Sequence, residues 1–165
     1  MSSFRTCAVN GAKVALCGWL FWWGMMACHE AGHIVSTVVN GGTIHQVILV
    51  PWRISETIRY DSAHPIVDVW AGPIAGILIP GLIAICVWKW KRPRRVATLF
   101  WGFCLLANGV YFGAGWLFES GDTGELIEFG FPIWPMVLFG SNAIVLGLAM
   151  WHVELEAWRN ERRAR

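Results

Sequence analysis

The chain has 165 residues, of which 56% are hydrophobic and 15% charged, with 12 tryptophans and a formal net charge of +2. A soluble domain of that length carries about a quarter of its residues as charges, so the composition argues against an ordinary water-soluble fold and for a single membrane-embedded domain. The small positive excess lies in segments flanking apolar runs, which speaks for lipid headgroups as partners. It speaks against nucleic acid, since no basic patch with interleaved aromatics occurs.

Arg5 and Lys13 precede a first apolar run, 14–39. Its basic lead, its apolar run and "MMAC", similar to a lipoprotein cleavage box, resemble a cleaved signal, but no A-x-A site follows and the run continues beyond a usual signal core, so it is expected to stay as a membrane helix. Three further runs, 67–88, 96–118 and 132–153, are each close to the roughly 20 residues that a spanning helix needs. The expected fold is therefore an all-α membrane protein of four transmembrane helices, one integral-membrane domain over 1–165 with no separate soluble domain.

The connections carry their own signals. In 40–67, "TIHQVILV" and "SETIRY" are β-branched runs separated by "PWRI", which predicts a hairpin or small sheet in the first outer connection. An ordinary ordered loop is the other reading, because strand propensity depends on context. "KWKRPRR" joins the second and third runs and "WRNERRAR" ends the chain, whereas "ESGDTGELIEFGF" between the third and fourth has acids and no base. The positive-inside rule then puts both termini and the 89–95 loop in the cytoplasm of a plasma (cell inner) membrane. Trp52, Trp70, Trp116 and Trp134 would mark the outer interface and Trp88, Trp90 and Trp151 the inner one, while Trp19, Trp22 and Trp23 lie too deep for either.

Cys7, Cys17, Cys28, Cys86 and Cys104 form no C-x-x-C pair and mostly sit in apolar runs, where a free thiol packs as a small hydrophobe. They predict neither a disulfide framework nor a thiolate zinc site. His45 and His64 read as polar loop residues, and His152 falls at the cytoplasmic end of the fourth run.

The first run contains "MMACHEAGHIVSTVV" over 25–39. A charged side chain at the centre of a membrane helix costs about 2.5–3.5 kcal/mol on insertion scales, so such a cluster marks function. From this composition the chance expectation for H-E-x-x-H is roughly 0.007 matches. Positions i and i+4 share a helix face, so His29 and His33 can offer two imidazoles to one zinc ion. Glu30, about 100° around the helix, can then serve as general base without being a ligand. Two packing histidines would leave the buried glutamate without a reason. A haem fares worse, because axial ligands approach from opposite faces and these two share one.

"HEAGH" inside a transmembrane run, with "AGPIAG" at the start of a later one, resembles the site-2 protease family of intramembrane zinc metalloproteases over roughly residues 14–126. The resemblance implies a three-helix core, the first motif on its first helix, a G-P-x-x-N element on the next and an aspartate further on as third zinc ligand. Gly72 and Pro73 match the second element, but Gly76 stands where the family often has asparagine. Gly72 and Gly76 also form a G-x-x-x-G face suited to close helix packing. The family's L-D-G element has no clear copy. "SGDTGE" offers Asp122, with Gly121 and Gly124 free to bend the backbone, and Glu119 and Glu125 as rivals; catalytic zinc takes three protein ligands and a water. Asn108 and Tyr111 share a face of the third helix and are candidates, with Gly72 and Pro73, for substrate or oxyanion contacts, or else for hydrogen bonds between helices.

Depth is consistent with this assignment. His29 lies about 23 Å along a helix from position 14 at about 1.5 Å per residue, near the outer third of a ~30 Å core, and "AGP" and Asp122 also belong to outer ends. The expected activity is an intramembrane zinc metalloprotease cleaving transmembrane or membrane-associated proteins, with Glu30 as base and His29, His33 and Asp122 as ligands. The implied family receives unwound substrate by strand-edge pairing, a mode known in soluble domains. The alternative is a non-catalytic membrane scaffold or metal-binding protein retaining the site. A proton-relay transporter would want ionisable groups through the other helices, which they lack.

Overall fold

The computed structural model describes the backbone over 2–164 and side chains over 11–164; the side chains of Arg5 and Cys7 lie outside the described residues. The chain is 76% helical with one two-stranded sheet. In order the elements are α1 (Ser2–Val39), β1 (Thr43–Ile48), β2 (Glu56–Tyr60), α2 (Pro65–Cys86), α3 (Lys91–Ala114), a 3-10 turn (Gly115–Leu117), α4 (Gly121–Glu128) and α5 (Ile133–Arg163).

Local chemistry sets several boundaries. α1 contains no proline and stops at Gly41, whose φ is 75°; the amide of Gly42 donates to the Thr37 carbonyl at 2.8 Å, the reach-back expected when a glycine ends a helix. α2 opens on Pro65, whose fixed φ and missing N–H suit a first helical turn. α3 begins at Lys91, before the expected 96, because its basic start is held by α5: Arg95 pairs with Glu154 at 3.4 Å and with Glu161 at 3.1 Å, and Lys91 pairs with Glu161 at 2.9 Å. The same pairs carry α5 on to Arg163, well past the expected end at 153.

Among the described residues three helices are long and apolar enough to cross a membrane, Pro65–Cys86, Lys91–Leu117 and Ile133–Arg163. The predicted span 14–39 falls within α1, which is not one of the three; Lys13, His29, Glu30 and His33 dilute its apolar character. Large apolar side chains point away from the protein, among them Leu78, Leu82 and Ile85 on α2 and Val145, Leu146 and Leu148 on α5. Such outward faces suit lipid and not water. α3 and α5 pack closely where Gly109 and Gly113 face Gly140, leaving no room for a Cβ at Gly140, the small-residue contact typical of membrane helices.

β1 and β2 pair antiparallel from Thr43 opposite Tyr60 to Ile48 opposite Glu56, with an irregularity between Ile44 and Gln46. Their connection runs back along α1: the Trp22 indole donates to the Pro51 carbonyl at 3.1 Å, and Leu49 packs on Met25, Met26 and Cys104. This contact accounts for one of the deep tryptophans. Trp70, expected at an interface, instead packs against the rings of Phe112, Phe131 and Phe139.

α4 occupies part of what reads in sequence as a solvated acidic connection. Asp122, Thr123 and Leu126 are buried on it, and Leu126 joins a core with Val69, Phe112 and Met136. The glycines on either side of Asp122 serve different needs. Gly121 has a φ of 60°, and Gly124 leaves no room for a side chain beside the Glu119 backbone.

Candidate metal centre

α1 presents His29 and His33 one turn apart, with ring centroids 4.9 Å from each other. α4 brings Asp122 across from the far end of α3. Nε2 of His29 lies 2.9 Å from Asp122 Oδ2, Nε2 of His33 lies 3.3 Å from Asp122 Oδ1, and the two Nε2 atoms are 3.1 Å apart. All three residues are buried, and each offers a ligand atom within 4.8 Å of the others.

The outer hydrogen bonds of the two rings decide what these inner atoms are. Nδ1 of His33 meets the Asp68 carbonyl at 2.8 Å, which can only accept, so His33 carries its proton there. Nδ1 of His29 meets Asn108 Oδ1 at 2.7 Å, and the same amide donates through Nδ2 to the Cys104 carbonyl at 2.9 Å. That orientation makes the amide oxygen the acceptor and puts the His29 proton on Nδ1 as well. In neutral imidazoles both Nε2 atoms are then bare lone pairs, facing each other and a carboxylate. Three acceptors converging without a proton between them repel unless a cation sits among them. Imidazole and carboxylate donors suit a divalent metal, and the two outer bonds are the kind that orient histidine ligands.

Burial alone would push the Asp122 carboxyl up; where no metal is bound, protons taken up by His33 and His29 supply the positive charge and hydrogen bonds that outweigh it and hold the group below the usual carboxylate range. Asp122 is therefore an anion. Of its rivals, Glu119 is exposed and Glu125 pairs with Arg59 at 2.7 Å. Burial pushes the Glu125 carboxyl up despite the opposing pull of Arg59.

Glu30 is buried and outside the ligand group; its Oε2 accepts from the Thr57 hydroxyl on β2 at 2.5 Å. Glu30, both histidines and Asp122 line one polar cavity of about 280 Å³, with Thr57, Arg59 and Tyr111 on its walls.

The sequence candidates on α2 and α3 all stand around this group. A Cβ at Gly72 would overlap both imidazoles, so this glycine makes the space the rings occupy. Pro73 is buried beside it and offers no donor. A Cβ at Gly76 would fall 2.7 Å from Asn108 Oδ1: the asparagine amide supplied by α3 fills the room that the absent side chain leaves on α2. Asn108 thus holds His29 through Oδ1 and gives one of its two Nδ2 hydrogens to the Cys104 carbonyl. The Tyr111 hydroxyl accepts from the Asp122 amide at 3.1 Å. His45, His64 and His152 are exposed.

Sequence reasoning missed three contributors. Asp68, fully buried, accepts through Oδ1 from Ser36 Oγ and Asn40 Nδ2, both at 2.6 Å, tying the end of α1 to the first turn of α2. An acidic residue opening an otherwise apolar run was the available signal. Thr57 and Arg59 carry none, since their roles follow from how the hairpin lies over the site. The chain matches no known protein-family model, no curated protein and no solved structure.

Proposed function

We propose that this chain is an intramembrane zinc metalloprotease, similar to the site-2 protease family, that hydrolyses peptide bonds of membrane-associated proteins. In this reading α1 joins the three apolar helices as a fourth span, and both termini face the cytoplasm of the plasma membrane. The convergence of the two Nε2 atoms and the Asp122 carboxylate, with a buried glutamate beside them, carries the proposal. A structural metal site has no use for that glutamate.

Zinc bound by His29, His33 and Asp122 would supply an acidified water, with a pKa near about 7, and polarise the scissile carbonyl. Glu30 would accept a proton from such a water at its carboxylate and return it to the leaving amine. Thr57 holds one carboxylate oxygen of Glu30 and leaves the other for the proton. Tyr111, which accepts from the Asp122 amide, keeps its own hydroxyl proton for the oxygen that develops charge. The hairpin beside the cavity offers a strand edge for an unwound substrate.

The test is Glu30→Gln in purified, zinc-loaded protein. General-base catalysis contributes about 10²–10⁴-fold, so cleavage should fall by at least two orders of magnitude with zinc content unchanged. Cleavage at the wild-type rate would refute the mechanism. Zinc binding without cleavage of any membrane peptide would assign the chain to non-catalytic metal-binding proteins.

A further inference from the structure

A second cavity, about 450 Å³, adjoins the metal centre and is apolar. Packed interiors hold few voids larger than a water molecule, and this volume falls in the range of about 300–1,000 Å³ typical of ligand sites. Met25 and Met26 of α1, Phe103 and Ala107 of α3 and Trp151 of α5 line it. His29, Ser55 and Tyr111 border both this cavity and the polar one. The two are therefore halves of one site that meet at the candidate ligand His29.

We infer that the apolar cavity is the subsite for a large apolar side chain next to the scissile bond, making the site selective for substrates with leucine-, methionine- or phenylalanine-sized residues there. The inference rests on the proteolytic reading. A side chain enters from a peptide whose backbone lies in the polar cavity, and the shared border puts the mouth of the apolar cavity at the metal ligand. A lipid chain has no such need of a mouth at His29. Two methionines on the wall fit the role, because their unbranched, polarisable side chains adapt to several apolar shapes. Ala107, the smallest wall residue, sets the depth on the α3 side.

The experiment uses zinc-loaded full-length protein in detergent micelles and peptide hydroxamates whose first side chain is alanine, leucine or phenylalanine. Burying the larger side chains should make wild type bind the leucine and phenylalanine compounds about 10-fold or more tighter than the alanine one. Ala107→Phe should bring that ratio near one with zinc content unchanged, and Phe103→Ala should shift the preference toward the phenylalanine compound over the leucine one. Equal binding of all three compounds by wild type, or the wild-type ratio persisting in both variants, would overturn the inference. Side-chain preference without hydrolysis of any peptide would fell the proteolytic reading and leave the subsite; hydrolysis without preference would do the reverse.

Discussion

Asn108 Oδ1 accepts the Nδ1 proton of His29 across 2.7 Å, joining residues 79 positions apart in the chain. With Nδ2 held by the Cys104 carbonyl, the amide cannot rotate without losing a bond, so His29 is kept in the tautomer whose Nε2 faces Asp122. Removing an outer partner of a histidine ligand typically costs about 10–100-fold in metal affinity. Asn108→Ala should show a loss of that size in competition with a zinc chelator, and Asn108→Asp, which restores the acceptor, should recover most of it. Equal affinity in wild type and Asn108→Ala would remove the positioning role.

Gly76→Ala acts on the same bond from the other side. Its Cβ would sit 2.7 Å from Asn108 Oδ1 and must displace the amide. The variant should therefore lose zinc affinity, and combined with Asn108→Ala it should add little, since two changes to one interaction are not additive. Gly72→Ala, whose Cβ meets the rings themselves, should bind no zinc at all by metal analysis.

Asp68 links packing to the centre, because its side chain fastens Ser36 and Asn40 while its carbonyl holds His33. Asp68→Ala leaves two donors without their acceptor, and a loss of about 2–3 kcal/mol follows from the cost of unmaking buried bonds to a charged group. Denaturation in mixed micelles reads the loss directly. Asp68→Asn keeps an acceptor oxygen and should lose less.

How much of this was legible in the chain depends on whether a residue's partner is local. His29, Glu30 and His33 stand out because helical spacing alone puts two imidazoles on one face. Asp122 could be singled out because the resemblance implies an aspartate ligand and "SGDTGE" offers one between two glycines, yet α4 itself was hidden. Its glycines and acids read as a loop, and only the burial of Leu126 among Val69, Phe112 and Met136 makes it a helix, a tertiary effect that overrides propensity. Trp22 had no explanation until the hairpin connection reached it through Pro51. Thr57 meets Glu30 only through the lie of β2, which no spacing rule encodes. Gly72 and Gly76 matched a helix-packing pattern, but the space they leave belongs to the histidines and Asn108.

Removing the metal should destabilise the fold, because a ligand bound only by the native state adds about 4 kcal/mol at 1,000 times its Kd. A strong chelator should lower the unfolding temperature of wild type and leave that of His33→Ala unmoved. A chelator effect of equal size in both would place the metal elsewhere.

The most direct test is zinc stoichiometry in purified wild type beside His33→Ala and Asp122→Ala, each at matched expression. The account predicts one zinc per chain in wild type and loss of tight binding in both variants. No zinc in wild type, or one zinc retained when Asp122 is gone, would contradict it.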